Sequence, residues 1–327
     1  MKVAKKILKI AAFAVLAILL VYLLINAVFN VMFYEFYSNA ETHGRIHGIP
    51  DGYVQQGIDV LDDGRIISSG YMKKDGPSRI YISGDKKASY TELFNKDGSP
   101  YTAHAGGVTH YGDYIYIAGS QGFDAFLLSD VLDGDGATML GTVKTMNNPA
   151  WCTTWGGYIF AGSFADPKID KYPPKDSETL TTPAGDENVS LITVFKFDSS
   201  AEFGIAPTPV GAISSGAKIQ GACFTEDGNI ILSTSYGLAA SVFYFHSVED
   251  SESKGTIELN GNSVPLWYLD SDSLTKELKA PPMAEEIIIS DGRMYIMNES
   301  ASAKYIFGKF IKGGKLYSIE IKDEFFA

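Results

Sequence analysis

The sequence predicts an all-β fold, a β-propeller of five four-stranded blades that follows one N-terminal transmembrane helix. One observation behind this prediction is a hairpin pattern that recurs along the chain with similar turn chemistry. Another is the composition, with 33 glycines, 19 tyrosines and 19 phenylalanines among 327 residues. Abundant glycine and aromatic residues with short apolar runs favour strands and turns over helices. We therefore expect many short antiparallel strands rather than an α/β fold.

The clearest copy of the hairpin is QGACFTEDGNIILSTSYG, residues 220–237. Its Asp227-Gly228 turn lies between two β-rich runs, and this is a strong hairpin signal because glycine supplies the positive φ that such turns need. Four further copies turn at Asp63-Gly64, Gly112-Asp113, Gly156-Gly157 and Asp291-Gly292. Hairpins that repeat at this spacing, each followed by more β-rich runs, are typical of propeller blades.

The remaining strands of each blade are expected in the β-rich runs after each hairpin. The predicted third strands are RIYIS (79–83), DAFLLS (124–129), LITVFKF (191–197), SVFYFHS (241–247) and KYIFGKF (304–310). The predicted fourth strands include YTELF (90–94), TMLGTVKTM (138–146) and KLYSIEI (315–321). The long segment after the fourth hairpin, with VPLWYLDSDSLTKELKAPP, is either an elaborated blade edge or a degenerate sixth blade. The proline-rich segment 166–190 is either a mobile surface loop or a lid over one face.

The first forty residues are of a different kind from the rest. Lysines 2, 5, 6 and 9 precede an uncharged apolar run from residue 10 to residue 33. About 20 apolar residues span a bilayer core, and lysines on one side place that end in the cytoplasm. We therefore predict a cytoplasmic basic segment (1–9), a transmembrane signal anchor (10–33), a linker (34–50) and an extracytoplasmic propeller (51–327).

Two further expectations concern the end of this helix. Tyr34, Phe36 and Tyr37 follow the apolar run, where an interfacial aromatic belt would lie. Small residues in Ser38-Asn39-Ala40 leave a cleaved signal peptide as the alternative to an uncleaved anchor, although the apolar run is longer than a signal peptide requires. Either way the propeller lies outside the cytoplasm.

Composition and motifs exclude several classes of function. The net charge of −12 argues against a nucleic-acid partner, which would require a basic face. The only cysteines, Cys152 and Cys223, are interpreted as small buried apolar residues. The sequence contains no metal-spaced cysteine or histidine cluster, no phosphate-binding loop and no dinucleotide fingerprint. We therefore expect no metal and no cofactor.

Propeller topology predicts where a ligand would bind. The loop that enters the first strand and the loop that joins the second and third strands open on the same face of every blade, so their residues converge at one mouth of the central channel. A concave surface with convergent polar groups is the default ligand site. The predicted ligand-binding residues are Gln56, Tyr71, His104, Gln121, Trp151, Gln220, Tyr236, Glu285 and Glu299. The alternative is a channel whose polar groups bond only one another and water.

Several stretches resemble one known family. They are GYVQQGIDV, HAGGVTHYGDYIYIAG, KIQGACFTEDGNIILSTSYG and PPMAEEIIISDGRMYIMNESASAKYIFGKF. They resemble a group of membrane-anchored or secreted β-propeller-like proteins from Gram-positive bacteria, over essentially the whole chain after the anchor. The resemblance implies a fold and a bacterial origin, but no activity and no catalytic residues.

Three functions are compatible with these observations. The leading hypothesis is a non-catalytic propeller that binds a small polar molecule, a glycan or a protein segment at the channel mouth. The second is a glycosidase-like or lactonase-like hydrolase, with the candidate catalytic residues Glu286, Glu299, Asp166 and His104. A glycosidase would need two carboxylates from different blades about 5–10 Å apart, and Asp59 is a further possible partner. The third is an assembly or interaction protein of the cell envelope.

Overall fold

The computed structural model describes residues 2–83, 89–248, 252–305 and 307–327. Its β-strands form a five-bladed propeller behind one N-terminal apolar helix, as the sequence predicts. Each blade is built on four antiparallel strands, and the first strand of each blade lies next to the central channel. Six clusters of buried apolar side chains fill the space within and between the blades.

The blades follow one another in chain order. The first contains Tyr53–Val60, Ile66–Met72, Arg79–Ser83 and Ser89–Phe94, and the second contains Val108–Tyr111, Tyr114–Gly119, Gly122–Leu127 and Gly141–Lys144. The third contains Pro149–Trp155, Tyr158–Ser163, Ser190–Phe197 and Ile205–Ser215, and the fourth contains Ile219–Phe224, Ile230–Thr234, Ser241–His246 and Leu274–Ala280. The fifth contains Ala284–Ser290, Arg293–Asn298, Lys315–Glu320 and, from the other end of the chain, Ala40–Arg45.

The N-terminal strand closes the ring. Ala40–Arg45 pairs antiparallel with Lys315–Glu320 and forms the outer strand of the fifth blade, after which the chain enters the first blade. Part of the segment expected to be a linker, residues 34–50, is therefore blade structure. Backbone hydrogen bonds between the two ends of the chain therefore complete the last blade, which the hairpin pattern does not reveal.

Two strand assignments differ from expectation. The predicted third strand of the last blade, residues 304–310, includes residue 306, which lies outside the described residues. Residues 307–310 belong to a short 3-10 helix, Phe307–Ile311, and Lys315–Glu320 takes the third position. Close packing of Gly308 explains the compact loop, since a Cβ there would collide with the Ser300 carbonyl. The long segment after the fourth hairpin forms Thr256–Leu259 and Asn262–Tyr268, and the latter pairs in parallel with Ile205–Ser215. This first part of the segment is an elaborated edge of the third blade, and its later part, Leu274–Ala280, is the fourth strand of the fourth blade. The described residues form no sixth blade.

The N-terminal helix, Lys2–Met32, continues through a short helix, Tyr34–Asn39, into the propeller. Phe33 and Phe36 are 2% and 0% exposed and belong to the core between the fourth and fifth blades. Tyr37 packs edge-on against Tyr317 of the fifth blade. The expected aromatic belt is therefore wrong for Phe36 and Tyr37, because a propeller groove rather than the bilayer interface takes these rings.

The proline-rich segment is fastened to the third blade. It contains a 3-10 turn, Asp176–Glu178, and a two-stranded ribbon of Leu180–Thr181 and Glu187–Asn188. The buried Glu178 carboxylate accepts a 2.6 Å hydrogen bond from the Ser163 hydroxyl and one of 2.8 Å from the Lys175 ammonium group. These contacts hold the segment beside the mouth of the channel.

Candidate functional site

A repeated β-bulge shapes the mouth of the channel. In four blades the pairing of the first strand shifts by one residue near its start, at Gln55/Gly57, Pro149/Trp151, Ile219/Gly221 and Ala284/Ile287. A bulge leaves one residue unpaired and re-aims its side chain. The residues at these bulges that line the cavity at the mouth are Gln56, Ala150, Gln220 and Glu285. The same backbone irregularity in successive blades thus builds one surface.

The cavity at this mouth has a volume of about 710 Å³. Six of the nine predicted ligand-binding residues line it, and they are Gln56, His104, Gln220, Tyr236, Glu285 and Glu299. Further lining comes from Ser120, Phe164, Tyr172, Lys304 and Tyr305. Most of these side chains therefore lie where we expected them, at the entries to the first strands and in the loops that join the second and third strands.

The other three predicted residues lie elsewhere. Tyr71 stands behind the cavity wall, where its ring packs 4.5 Å from that of His104. Gln121 is exposed, and the cavity is lined by its neighbour Ser120 instead. Trp151 is fully buried in the core between the third and fourth blades and lies directly against Gly162, so it cannot meet a ligand. Its prediction as a ligand-binding residue does not fit this placement.

A polar cluster joins the fifth blade to the first. The Tyr71 hydroxyl donates a 3.2 Å hydrogen bond to Glu299 Oε1 and accepts one of 2.6 Å from Lys304 Nζ. Lys304 Nζ lies 3.7 Å from the same Glu299 oxygen, which makes an ion pair. Glu299 is only 6% exposed, whereas Lys304 reaches solvent. The cavity wall therefore carries a carboxyl group and an ammonium group, and a phenol behind the wall contacts both.

The protein environment shifts the proton affinities of these groups. Burial, reinforced by the charge of Glu299, raises the pKa of Glu285 well above its usual range. Burial also raises the pKa of Glu299, although Lys304 and Tyr71 oppose this shift. Hydrogen bonds to Tyr71 and Tyr305 and the charge of Glu299 raise the pKa of Lys304, against the effect of its burial. The wall therefore combines a firmly protonated lysine with two carboxyl groups that bind protons more tightly than usual.

His104 is the neutral base of the cavity. His104 reaches solvent at the rim of the cavity, but desolvation by the surrounding protein atoms, followed by the charges of Lys304 and Lys171, lowers its pKa to about 4. Its imidazole is consequently uncharged at neutral pH and can both donate and accept a hydrogen bond.

An aromatic wall faces the cavity from the third and fourth blades. The ring of Phe164 lies 5.0 Å from that of Tyr172 and 6.2 Å from that of Tyr236. Tyr172 belongs to the proline-rich segment, so this segment contributes a wall of the cavity. Sequence reasoning missed Phe164, Tyr172 and Tyr305. Tyr236 alone of the three rings follows from the hairpin pattern, because Tyr172 lies in an insertion that has no counterpart in the other blades.

Glu286, a candidate catalytic residue, does not line the cavity. Its carboxylate lies at the channel axis and accepts backbone N–H bonds from Ile58 (2.8 Å), Val108 (2.8 Å) and Cys152 (3.3 Å), which belong to three different blades. A glycine leaves room for it, since a Cβ on Gly107 would collide with Glu286 Oε1. Burial raises the pKa of Glu286 well above the usual range, and these hydrogen bonds oppose the shift.

The other carboxylates considered for hydrolysis also lie away from the cavity. Asp166 forms a 3.1 Å ion pair with Lys218 and borders a separate cleft of about 490 Å³. Asp59 forms a 2.7 Å hydrogen bond with His110 Nδ1. The cavity therefore has one carboxyl pair, Glu285 with Glu299. Within the described ranges, no group of three or more histidine, cysteine, aspartate or glutamate side chains is placed to hold a metal ion.

The chain matches no protein-family model and no curated protein sequence. Among solved structures it is similar to an oxidoreductase described as a glucose dehydrogenase from Thermus thermophilus, with 10% identity, a TM-score of 0.46 and coverage of 86% of this chain and 99% of that one. It is also similar to a PQQ-bound aldose sugar dehydrogenase from Streptomyces coelicolor, with 11% identity, a TM-score of 0.45 and coverage of 86% and 98%. A Trichoderma reesei protein of carbohydrate-active enzyme family AA12 gives 10% identity, a TM-score of 0.41 and coverage of 87% and 96%. Similarities this distant do not transfer a function.

Proposed function

We propose that this chain is a membrane-tethered, extracytoplasmic β-propeller that binds a small polar ligand in the cavity at the channel mouth, with the sugar ring of a glycan as the best-fitting class. The proposal rests on the lining of one cavity of about 710 Å³, which has aromatic rings on one side and amide and carboxyl groups elsewhere. Cavities of this size suit a small ligand.

One wall of the cavity is aromatic and the other is polar, and a sugar ring likewise has apolar faces and a polar rim. Phe164, Tyr172 and Tyr236 offer ring faces on one side. Gln56, Gln220 and Glu299 offer amide and carboxyl groups elsewhere on the lining, and such groups bond hydroxyls in pairs. A sugar ring presents C–H groups on its faces and hydroxyls on its rim, and it matches both surfaces.

Titration calorimetry of the full-length protein with a panel of neutral monosaccharides, sugar acids and short glycans tests the proposal. We expect at least one saccharide to bind, and Gln220→Ala to weaken its affinity roughly 2- to 10-fold, which is the effect of losing one hydrogen bond. Gln121→Ala is the matched control, because this glutamine is exposed outside the cavity. Equal loss in both variants, or saccharide binding that survives replacement of Gln56, Gln220 and Glu299 together, would contradict the proposed site.

The membrane tether is supported by the packing of the helix. Residues 3–32 form a helix long and apolar enough to cross a membrane. Cleavage near Ala40 would remove Phe33 and Phe36 from the core between the fourth and fifth blades, where both are buried. An uncleaved anchor keeps that core filled, and the lysines that precede the helix favour an extracytoplasmic propeller.

Phe36→Ala tests whether the helix is part of the folded propeller. Truncation of a buried phenylalanine costs about 3–5 kcal/mol, so we expect a clear fall in the thermal unfolding midpoint of the full-length protein in detergent. Tyr34→Ala is the control, since Tyr34 is 72% exposed. Equal midpoints for both variants would show that the helix does not stabilise the propeller.

A second candidate is a glycoside hydrolase that would use two carboxyl groups of one blade, Glu285 and Glu299, instead of the pair from different blades that the sequence led us to expect. One observation supports it. Glu285 and Glu299 interact electrostatically, and burial raises the pKa of both. A carboxyl group with a raised pKa can act as a general acid while its neighbour stays ionised. Release of reducing sugar from the bound glycan, abolished by Glu285→Gln and by Glu299→Gln, would establish this activity. Tight saccharide binding without turnover would leave binding alone.

A further inference from the structure

The N-terminal helix leaves the propeller at the same end as the cavity. Near its C-terminal end, Asn30 accepts a 3.4 Å hydrogen bond from Lys312, and further towards the N-terminus the Tyr22 ring lies 6.1 Å from that of Phe310. Lys312 and Phe310 belong to the segment 299–314, which joins the second and third strands of the fifth blade. The same segment supplies Glu299, Lys304 and Tyr305 to the cavity wall. The helix thus passes this segment and extends beyond the mouth of the channel.

The uncharged free part of the helix is shorter than a bilayer core. Side chains of residues 3–24 are exposed, whereas the propeller begins to cover the helix from Ile25 onward. The lysines up to Lys9 belong to the cytoplasmic segment, so the free helix offers residues 10–24 to the hydrocarbon core. At 1.5 Å per residue these span about 22 Å, less than the roughly 30 Å of the core. Hence little of the free helix remains to act as a spacer, and the segment 299–314 lies close to the membrane surface.

Charge differs between the segment 299–314 and the turns at the opposite end of the propeller. The proline-rich segment at the mouth carries both signs and does not contribute to this difference. The turns between first and second strands all lie at the end opposite the cavity. Four of these five turns carry exposed acidic residues, which are Asp62, Asp63, Asp113, Glu226, Asp227 and Asp291. The segment at the cavity end carries Lys304, Lys309 and Lys312 against a single acid, Glu299. Membrane surfaces with anionic lipids attract lysines and repel carboxylates.

We propose that the propeller stands on the bilayer with its cavity end facing the lipid, and that the turn Phe307–Ile311 with Lys312 contacts anionic phospholipid headgroups. Phe310 is exposed beside Tyr22, as an aromatic pair at a membrane interface would be. Lys309 and Lys312 flank it and are also exposed. The cavity then opens towards the bilayer surface, and its ligand enters between the propeller and the headgroups. This orientation rests on the membrane tether proposed above, but it does not depend on which ligand the cavity binds.

Site-directed spin labelling of the full-length protein in anionic bilayers tests the orientation. The two native cysteines are buried, so a spin label reacts with an introduced cysteine. Labels at Phe310→Cys and, in a separate variant, Lys309→Cys are compared with a label at Asp227→Cys, an exposed position in a turn at the opposite end. We expect more collisions with lipid-soluble oxygen and fewer with a water-soluble nickel chelate at positions 310 and 309 than at position 227.

The opposite ranking, or equal accessibility at all three positions, would overturn the orientation. A second arm uses the label at position 310 in bilayers of zwitterionic lipid only. We expect the label to become more accessible to the nickel chelate there, because Lys309 and Lys312 lose their anionic partners. Unchanged accessibility would overturn the role of the anionic headgroups. Both arms are readable whether or not any saccharide binds, so failure of the ligand proposal and failure of the orientation are distinguishable.

Discussion

The channel axis and the channel mouth both bury glutamates, but they hold them in different ways. At the axis, Glu286 is bonded by backbone N–H groups of three blades, and none of these donors can move without moving a strand. At the mouth, Glu299 is bonded by the side chains of Tyr71 and Lys304, and Lys304 reaches solvent. The axis therefore fixes the blades to one another, whereas the mouth keeps polar groups that a ligand can take over.

The largest expected effect is at the axis. Glu286→Ala leaves three buried N–H donors without an acceptor, and each such donor costs about 1–3 kcal/mol. We expect a loss of at least about 3 kcal/mol in the free energy of unfolding, measured by denaturant titration in detergent. Glu286→Gln keeps one carbonyl acceptor and should lose less. If the free energy of unfolding of Glu286→Ala lies within about 1 kcal/mol of the wild-type value, the Glu286 carboxylate does not hold the blades together.

The fold was readable from the sequence because its signals are local. Each Asp-Gly, Gly-Asp or Gly-Gly turn selects a hairpin, and five such turns predict five blades. The closing strand was not readable, because Ala40–Arg45 and Lys315–Glu320 pair across almost the whole chain. Its alternation is also weak, with exposed residues at nearly every position. Such a strand is defined by its partner rather than by its own residues.

The cavity was readable in part for a similar reason. Topology places Gln56, Gln220 and Glu285 at the mouth, and the bulges turn these side chains inward. Strict alternation points neighbours such as Glu285 and Glu286 to opposite faces of a strand. Both are buried here, because the innermost strand of the blade is packed on both faces, and residues 284–287 are all buried. A bulge between Ala284 and Ile287 also shifts the pairing. Sequence pattern gives no sign of where such a bulge falls.

At the mouth we expect a smaller effect, of opposite sign to that at the axis. Burial raises the pKa of Glu285 above its ordinary value of 4.5. The folded state therefore binds the proton more tightly than the unfolded state, so wild-type stability falls as pH rises above about 4.5 and through the folded-state pKa. Glu285→Gln cannot lose a proton, and we expect it to match the wild type near pH 4 and to be more stable at pH 7–8.

Unfolding midpoints across this pH range measure the effect. Each unit by which the pKa is raised corresponds to about 1.4 kcal/mol. Asp227→Asn is the control, because this exposed carboxyl group lies in a turn away from the cavity. A variant that is less stable than the wild type at every pH would mean that Glu285 is held as firmly as Glu286, and the contrast between axis and mouth would disappear.

The smallest effect concerns the charge balance within the mouth. Lys304 contributes to the low pKa of His104, about 4, after the larger contribution of desolvation by the surrounding protein atoms. Lys304→Met should therefore raise this pKa part of the way towards the ordinary 6.5, as measured by NMR titration of the histidine ring protons, with the signal assigned through His104→Gln. Lys322→Met, at the opposite end of the fifth blade, should leave the His104 titration unchanged. An unchanged His104 pKa in Lys304→Met would show that the charge of Lys304 does not affect His104. The expected rise means that a charged ligand bound at Lys304 would change the pKa of His104.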